Sequence, residues 1–409
     1  MKVKPGYKQT EVGVIPEDWD CALIANVARL ESGHTPSKRK PSYWGGSVQW
    51  VSLHDTALLD SREISATTKT ITEDGINHSS ARLLPQGTVV FSRTATVGKS
   101  TVMATSMATS QDFANYICGP DLDNYFLVYL FRSMGRTWQR LMAGSIHNTI
   151  YMPVFKALKI ALPPLPEQRA IAAALSDVDA LLAGLDRLIA KKRDLKQAAM
   201  QQLLTGQTRL PGFSGEWEMK TLGELAEIIS GGTPKTTEPS YWNGGIKWCT
   251  PTDITGCTDK YLLDTQRTIS LLGLKSSGAR LLPADSLLLC SRATIGELKI
   301  AGGEICTNQG FKSLVCKPEV SNEFLYYKLL TMKQQMIERA FGSTFLEISK
   351  ANVASLEVPL PSLPEQTAIA AVLSDMDAEL SLLAARRDKT RDLKQAMMQE
   401  LLTGRIRLV

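Results

Sequence analysis

The chain has 409 residues, of which 44% are hydrophobic, so it is typical of a folded protein with room for two or more hydrophobic cores. The sequence has no apolar run long enough to span a bilayer, and its first residues, Met1 to Pro5, lack the apolar core of a signal peptide, so we expect a cytoplasmic protein without a membrane partner. A net charge of +5 permits a nucleic-acid partner but does not require one.

Most of the sequence occurs twice, at an offset of 198 residues. Ser32-Gly33-His34-Thr35-Pro36 returns as Ser230-Gly231-Gly232-Thr233-Pro234, and Ala81 to Pro85 returns unchanged at Ala279 to Pro283. Two copies of this size indicate a duplication with one core in each copy, rather than a solenoid of short repeats. One word is out of register, because Ser92-Arg93 matches Ser291-Arg292.

The first part of each copy, residues 1–160 and 211–359, is rich in glycine, proline and threonine. Short runs such as Gly87 to Phe91 predict strands. An amphipathic helix is predicted after Asn124 and after Asn322, which can cap it. Its buried face in the first copy would consist of Phe126, Leu127, Leu130 and Phe131. We interpret each first part as a separate globular domain.

The second part of each copy, residues 161–210 and 360–409, predicts one long helix. Proline is well tolerated in the first turn, and Gly206 and Gly404 fit the stop position. From Pro166 to Leu204 the helix would measure roughly 58 Å at 1.5 Å per residue. Apolar residues recur with the 4-3 spacing of a coiled-coil seam, at Ile171, Leu175, Val178, Leu182, Leu185 and Ile189, and at Ile369, Leu373, Met376, Leu380 and Leu383. We expect the two helices to pair antiparallel; the alternative is that each lies on its own domain.

The two helices share short polar sequence motifs as well as the 4-3 apolar spacing. Because packing accepts many apolar substitutions, repeated polar residues indicate two identical outward surfaces that dock partners. The candidate docking residues are Glu167, Gln168, Ser176, Asp177, Glu365, Gln366, Ser374 and Asp375. The globular parts diverge between their shared words, which favours two related readers of different targets. Recent gene conversion of the helix segment is the alternative explanation.

The sequence offers no constellation for catalysis or metal binding. Thr96 to Ser100 looks like the end of a P-loop, but Arg93 stands where the motif needs a glycine. All four histidines lie in the first copy and have no histidine at the equivalent position, which excludes a duplicated histidine site. Cys118 and Cys316 are equivalent, and we interpret them as reduced thiols on strands. We therefore expect no catalytic residue, metal or cofactor in this chain.

The side chains that do recur suit the recognition of DNA. Arginine and glutamine bind guanine and adenine edges, and threonine can contact a thymine methyl group or a phosphate. The Tyr-Trp pairs, surrounded by glycine, proline and threonine, predict aromatic recognition loops. The candidate DNA-contacting residues are Thr35, Lys38, Arg39, Tyr43, Trp44, Arg93, Thr96, Gln111 and Ser145 in the first copy, and Thr233, Tyr241, Trp242, Arg292, Thr294, Gln309 and Ser343 in the second. In the alternative interpretation, the aromatic residues fill the core, the arginines tie loops together and the Lys38-Arg39-Lys40 run is merely solvated.

Taken in order, these words resemble the specificity subunit of a type I restriction–modification system. The matching words are Tyr7 to Pro16, Ser-Gly-x-Thr-Pro with Tyr-Trp, Ala-Arg-Leu-Leu-Pro, Ser-Arg-Ala-Thr-Ile-Gly at 291–296, and Leu-Pro-Pro-Leu-Pro-Glu-Gln at 162–168. The resemblance covers the whole chain. The first copy departs from the family word between Ser92 and Gly98, where it reads one residue longer, so the resemblance does not fix the loop geometry or the role of Arg93 there.

The resemblance implies an α+β fold, with two similar globular α/β target-recognition domains separated by an antiparallel coiled coil in a pseudo-twofold internal repeat. It implies that each domain reads one half of a bipartite, asymmetric site on double-stranded DNA, and that the paired helices set the length of the unread spacer between the two halves. Two methyltransferase subunits would dock on the repeated helices, and restriction/translocase subunits would join them. S-adenosylmethionine is expected on the methyltransferase partner. An enzyme that acts alone, and a structural adaptor that joins two partners without DNA, are the alternatives.

Overall fold

The computed structural model describes residues 4–143, 148–342 and 346–408. The chain divides into two compact units, Met1–Asp186 with Ala385–Val409, and Arg187–Ala384, which we call the first and the second unit. Both units combine helices with sheets, which confirms the predicted α+β class. Two helices of 39 residues each begin in one unit and end in the other.

The first unit contains twelve strands within its described residues, and they fall along the whole of its globular part. They are β1 (Tyr7–Thr10), β2 (Gly13–Pro16), β3 (Asp20–Leu23), β4 (Ala28–Ser32), β5 (Trp44–Val51), β6 (Glu63–Ile64), β7 (Lys69–Ile71), β8 (Val89–Ser92), β9 (Ser100–Met103), β10 (Ala108–Thr109), β11 (Phe113–Cys118) and β12 (Lys159–Leu162). The helices are α1 (Ile24–Val27), α2 (Glu73–Asn77), α3 (Asn124–Ser133), α4 (Gly135–Met142), α5 (Met152–Lys156) and the first part of α6 (Leu165–Leu203).

A five-stranded sheet, in the order β4-β11-β8-β9-β6, carries the core of the first unit. Its ladders are antiparallel except for β6, which runs parallel to β9. Helix α3 packs on this sheet, and the four side chains of its predicted face are buried. The predicted cap is wrong by one residue, because Asp123 accepts the N–H of Phe126 at 2.9 Å and Asn124 is already helical. A second sheet, β10-β5-β7, and the pairs β1-β2 and β12-β3 complete the unit.

The second unit repeats the strands from β3 onward, and within its described residues it has no equivalent of β1 and β2. Its strands are β13 (Glu218–Thr221), β14 (Ala226–Ser230), β15 (Trp242–Cys249), β16 (Tyr261–Leu262), β17 (Arg267–Ile269), β18 (Leu287–Leu289), β19 (Leu298–Ala301), β20 (Cys306–Thr307), β21 (Lys312–Cys316) and β22 (Glu357–Leu360). Its helices are α7 (Leu222–Leu225), α8 (Pro251–Gly256), α9 (Leu271–Lys275), α10 (Asn322–Thr331), α11 (Lys333–Glu338), α12 (Lys350–Ala354) and the first part of α13 (Leu363–Leu401). The sheets β14-β21-β18-β19-β16 and β17-β15-β20 match those of the first unit strand by strand, and Ser321, not Asn322, caps α10.

Within each unit, α6 and α13 lie side by side and antiparallel, as predicted. Ion pairs join the two helices, and the residue numbers of the α13 partners fall as those of the α6 partners rise. In the first unit the ion pairs are Asp179–Lys394 at 2.6 Å and Asp186–Arg387 at 3.7 Å; in the second unit they are Lys192–Glu379 at 2.7 Å and Lys196–Asp377. The core of each unit takes in the start of one long helix and the end of the other.

Each long helix ends three residues before the glycine that the sequence predicts as its stop, at Leu203 and at Leu401. Gly206 and Gly404 have φ values of +72° and +68°, in the left-handed region that favours glycine. In the part of the chain that the structure describes, no helix combines the length and the apolar composition needed to cross a membrane.

Candidate functional site

Two tryptophans hold the first candidate loop, residues 33–40, in the first unit. Trp50 Nε1 donates to the carbonyl oxygen of His34 at 3.0 Å, and Trp44 Nε1 donates to that of Ser37 at 3.2 Å. The two rings meet edge to face, with centroids 5.0 Å apart. The His34 N–H donates to the carbonyl oxygen of Thr109 at 2.9 Å. The loop is therefore fixed to β5 and to the end of β10.

The same arrangement recurs in the second unit. Trp248 Nε1 donates to the carbonyl oxygen of Gly232 at 3.0 Å, and Trp242 Nε1 donates to that of Lys235 at 3.2 Å. Their rings also meet edge to face at 5.0 Å, and the Arg267 guanidinium stacks 3.7 Å from the centre of the Trp242 ring. The four indoles thus have one structural task, which is to shape the two candidate loops.

The prediction that these aromatic residues lie in recognition loops is wrong. Trp44 and Trp242 open strands β5 and β15, and Tyr43 ends a 3-10 helix, Pro41–Tyr43. Tyr43 and Trp242 are only 5% and 9% exposed, so their rings are not available to stack on a base. Trp44 and Tyr241 are half-buried. The alternative interpretation, in which the aromatic residues pack inside, holds for Tyr43 and Trp242.

The predicted threonine and glutamine candidates come together on the surface of each unit. The Thr35 hydroxyl donates to Oε1 of Gln111 at 2.6 Å, and the Thr233 hydroxyl donates to Oε1 of Gln309. Both glutamines are exposed and both threonines are half-exposed. The sequence distance of 76 residues between the partners is the same in both units.

A second loop, Ser92 to Lys99, corrects the predicted register. Gly98 N–H donates to the Ser92 carbonyl oxygen, and Gly296 N–H donates to that of Cys290, so the offset stays at 198 throughout the loop. The left-handed residues Ala95 and Ala293, with φ of +61° and +62°, obey the same offset. The first copy therefore has no extra residue, and the arginine has moved by one position along loops of equal length.

The shifted arginines consequently have different environments. Arg93 donates from Nε to the carbonyl oxygen of Gln111 at 2.9 Å and from Nη1 to that of Ile150 at 3.1 Å, and burial lowers its pKa. It ties loops together, as the alternative interpretation proposed. Arg292 takes the position of Thr94 and is exposed. The two arginines are therefore not equivalent, although their sequence words are.

The other predicted contacts in these loops have mixed outcomes. The Thr294 hydroxyl oxygen is buried, so it is not presented on the surface as predicted. Thr96 is half-buried and its hydroxyl lies 2.9 Å from that of Ser92, which leaves its contact with DNA as a prediction. Lys38 and Arg39 are exposed, which leaves their contact with DNA as a prediction. Ser145 and Ser343 lie outside the described residues.

A tyrosine, an aspartate and a lysine join three helices in each unit. Tyr129 of α3 donates to Asp179 Oδ2 of α6 at 2.8 Å, and Lys394 of α13 binds Oδ1 of the same carboxylate at 2.6 Å. In the second unit the equivalent triad consists of Tyr327, Asp377 and Lys196. Sequence reasoning missed these residues as a set, although the aspartates and lysines stand in words that both copies share.

Four of the predicted docking residues are internal. Glu167 and Gln168 are 1% and 0% exposed, and Glu365 and Gln366 are both 1% exposed. Each glutamine accepts the N–H of a helix-capping residue, Asp123 or Ser321, at 2.8 Å. Side chains that are buried and bonded within the chain cannot form a docking surface, so this part of the prediction is wrong.

The buried glutamates are held by arginines that follow the long helices. Arg407 donates to both oxygens of Glu167 at 2.6 and 2.8 Å and to both oxygens of Asp18, and Trp19 Nε1 donates to Glu167 at 2.9 Å. In the second unit Arg209 holds Glu365 at 2.5 and 2.7 Å. These clamps fasten the segment after each long helix to the start of the other one.

The remaining docking candidates divide by exposure. Asp177 and Asp375 are exposed, so they stay in the predicted docking surface. Ser176 and Ser374 are half-buried, and their hydroxyls lie 3.3 Å from those of Tyr129 and Tyr327. Their repetition is thus explained by a contact with the globular domain.

The cysteines in the described part of the chain are free thiols. Cys118 and Cys316 are free thiols on β11 and β21, as predicted, and burial raises the pKa of each to about 12. Among the described residues, no group of three or more histidine, cysteine, aspartate and glutamate side chains is placed to hold a metal ion.

Comparisons with known proteins agree with one another. A family model described as the type I restriction modification DNA specificity domain matches residues 16–191 and again residues 214–389. The type I restriction enzyme MjaIX specificity subunit of Methanocaldococcus jannaschii is 37% identical over 164 residues, which are 40% of this chain and 38% of that protein. The putative type I restriction enzyme MjaX specificity subunit of the same organism is 24% identical over 98% of this chain and 97% of its own length.

The fold is similar to that of a solved chain from a study of complex assembly and conformational transition of the type I R-M system. The TM-score is 0.63 at 20% sequence identity, and the match covers 96% of this chain and 99% of the solved one. The similarity therefore extends over both units and both long helices.

Proposed function

Because the chain belongs to the type I restriction modification DNA specificity family, we propose that each of its units reads one half of a bipartite, asymmetric site on double-stranded DNA. The observation that carries the proposal is a duplicated scaffold with divergent exposed side chains. Both units hold the same two loops with equivalent backbone hydrogen bonds, yet Arg292 of one unit replaces Thr94 of the other. Two readers built on one scaffold can in this way recognise different bases.

We further propose that the chemistry belongs to partners. Two methyltransferase subunits, which bind S-adenosylmethionine, would dock on the repeated helix surfaces, and restriction/translocase subunits would join them. The names of the relatives support a specificity role, since each is called a specificity subunit. An adaptor that joins two partners without DNA would require no such pair of divergent readers.

Exchanging one reader tests the proposal. Residues 211–359 are replaced by the equivalent domain of another family member, and the chimaera is expressed with its methyltransferase partner. Because the first unit keeps its own loops, methylome sequencing should show one half of the methylated motif changed and the other half retained. If both halves change, or neither does, the two units do not read independently. Salt-insensitive binding to DNA-free partners would favour the adaptor instead, because DNA contact predicts strong salt dependence.

The exposed repeated residues locate the proposed docking surface. Leu195 and Leu393 are 47% and 56% exposed and occupy the same place in the shared word Arg-Asp-Leu-Lys-Gln-Ala. Their flanking aspartates, Asp194 and Asp392, are exposed as well. Since the lysine of each word already serves the triad, the leucine and its polar neighbours are what the word offers to a partner.

Truncating these leucines is expected to weaken docking. Full burial of a leucine contributes about 1.5–3 kcal/mol, so the pair of substitutions L195A and L393A should weaken each methyltransferase contact about tenfold or more. Isothermal titration of the full chain with the methyltransferase subunit measures this. The matched control is L382A, because Leu382 is 71% exposed on the same pair of helices but has Gly184 as its equivalent. An equal loss in the control would remove the leucines from the docking surface.

A further inference from the structure

We propose that the Thr35–Gln111 pair and the Thr233–Gln309 pair are equivalent clamps for a phosphate group of the DNA backbone, not readers of bases. The inference rests on the proposed function, because it assigns a ligand to one part of the surface on which each unit would meet DNA. It separates the shared residues of that surface from the divergent ones.

The contact with threonine limits which hydrogen bonds each glutamine amide can still form. In each pair the threonine hydroxyl donates to Oε1 of the glutamine, at 2.6 Å in the first unit. Within the described part of the chain, the Nε2 atoms of Gln111 and Gln309 have no protein acceptor, and both side chains are exposed. A glutamine with its oxygen engaged presents two N–H donors and has less capacity to accept. Bidentate reading of adenine needs the amide oxygen as well as the N–H, so this arrangement suits a ligand that only accepts hydrogen bonds.

The threonine of each pair lies on a loop that is held in place. A Cβ atom at Gly33 would lie 2.1 Å from the carbonyl oxygen of Ser110, and one at Gly231 would lie 2.1 Å from that of Asn308. The glycines thus let the threonine loop approach the backbone next to the glutamine in both units. Together with the indole hydrogen bonds to this loop, the close approach fixes the position of the threonine hydroxyl before any ligand binds.

The two pairs are the same in both units although their surroundings differ. The exposed residues around the two pairs differ, as the change from Lys38-Arg39-Lys40 to Thr236-Thr237-Glu238 shows. A contact that is kept while its surroundings diverge fits a ligand present at every target, whatever its sequence. The phosphate is the part of DNA that is the same at each nucleotide, and it only accepts hydrogen bonds.

Charge near each pair is consistent with an anion. In the first unit Lys38 and Arg39 are exposed three and four residues after Thr35. In the second unit Lys235 is exposed two residues after Thr233. Each loop therefore carries a cation, although at different positions, alongside the same neutral donor.

The test replaces the donor by an anion of nearly the same shape. Q111E and Q309E are introduced into the full chain in complex with its methyltransferase partner, and binding is measured to a duplex that carries the methylated motif and to a scrambled duplex. We expect each variant to bind both duplexes about tenfold more weakly, because hydrogen bonds to a charged group contribute about 1.5–3 kcal/mol. The methylated motif should be unchanged. Q86E is the control that introduces the same charge. Gln86 is exposed and lies three residues before the start of β8, whereas the candidate loop Ser92 to Lys99 begins at the end of that strand.

Three outcomes decide the matter. Equal weakening on both duplexes with an unchanged motif supports the phosphate clamp. A changed base in one half of the motif would mean that the glutamine reads a base, and an unchanged affinity would mean that it contacts no DNA; either result overturns the inference. If the parent complex itself does not distinguish the two duplexes, the proposed function fails, which is a separate result.

Discussion

Replacing Arg407 with alanine is expected to lower the free energy of unfolding of the first unit by about 3 kcal/mol, because it leaves a buried carboxylate without its cation. Glu167 is 1% exposed, and Arg407 binds both of its oxygens. The Trp19 indole N–H remains as a donor to Glu167, which places the effect at the lower end of the range for broken buried pairs. For a unit of this size, the melting temperature should fall by about 6–12 °C.

The matched control removes the charge of Asp18, the exposed partner of the same arginine. The Asp18 side chain is 54% exposed, so D18N should cost less than about 1 kcal/mol. The hydrogen bond from Arg407 lowers the pKa of Asp18, so the contribution of this carboxylate is present above its usual pKa and is lost as the pH falls through the lowered value. Thermal and denaturant unfolding of the two variants at neutral pH measures the difference. Equal losses would show that burial of Glu167 does not set the cost.

The duplication and the helices could be predicted from the sequence because both leave periodic signals. An offset of 198 residues and a 4-3 apolar spacing identified two globular parts and an antiparallel pair of long helices. The ends of the long helices could also be predicted, because the left-handed conformation at Gly206 and Gly404 favours glycine.

The prediction that the aromatic residues lie in loops is wrong because a bulged strand has the amino-acid composition of a loop. In β5 the pairing with β7 shifts between Trp44 and Val48, and Gly45 has a φ of +79° at that irregularity. Glycine in a strand marks such a bulge, but glycine beside proline and threonine also marks a loop. Only the pairing partner, β7, distinguishes the two, and nothing in the local sequence specifies it.

The buried glutamates were misplaced for a related reason. A repeated Glu-Gln word is polar, and polar residues are mostly exposed, so it was assigned to the surface. The cation that stabilises Glu167 stands 240 residues away in the chain. The register of the loop at Arg93 could not be predicted from the sequence either. The matching Ser-Arg motifs indicate an offset of 199 residues there, whereas the backbone hydrogen bonds keep the offset at 198.

Lengthening both long helices by one heptad is expected to lengthen the unread spacer between the two half-sites. Seven residues are inserted between Asp186 and Arg187 of α6 and seven between Arg386 and Arg387 of α13. A heptad keeps the seam in phase, and the ion pairs Asp179–Lys394 and Lys192–Glu379 stay within their own units. The insertion adds about 10.5 Å of helix, equivalent to about three base pairs at roughly 3.4 Å each. The same insertion in α6 alone is the control, since it shifts α6 against α13 and should abolish methylation.

Methylome sequencing of cells that express the doubly lengthened chain with its methyltransferase partner tests the central proposal, that two independent readers recognise half-sites whose spacer length is set by the paired helices. The account predicts a motif with both half-sites unchanged and a spacer about three base pairs longer. A changed half-site with an unchanged spacer would contradict it.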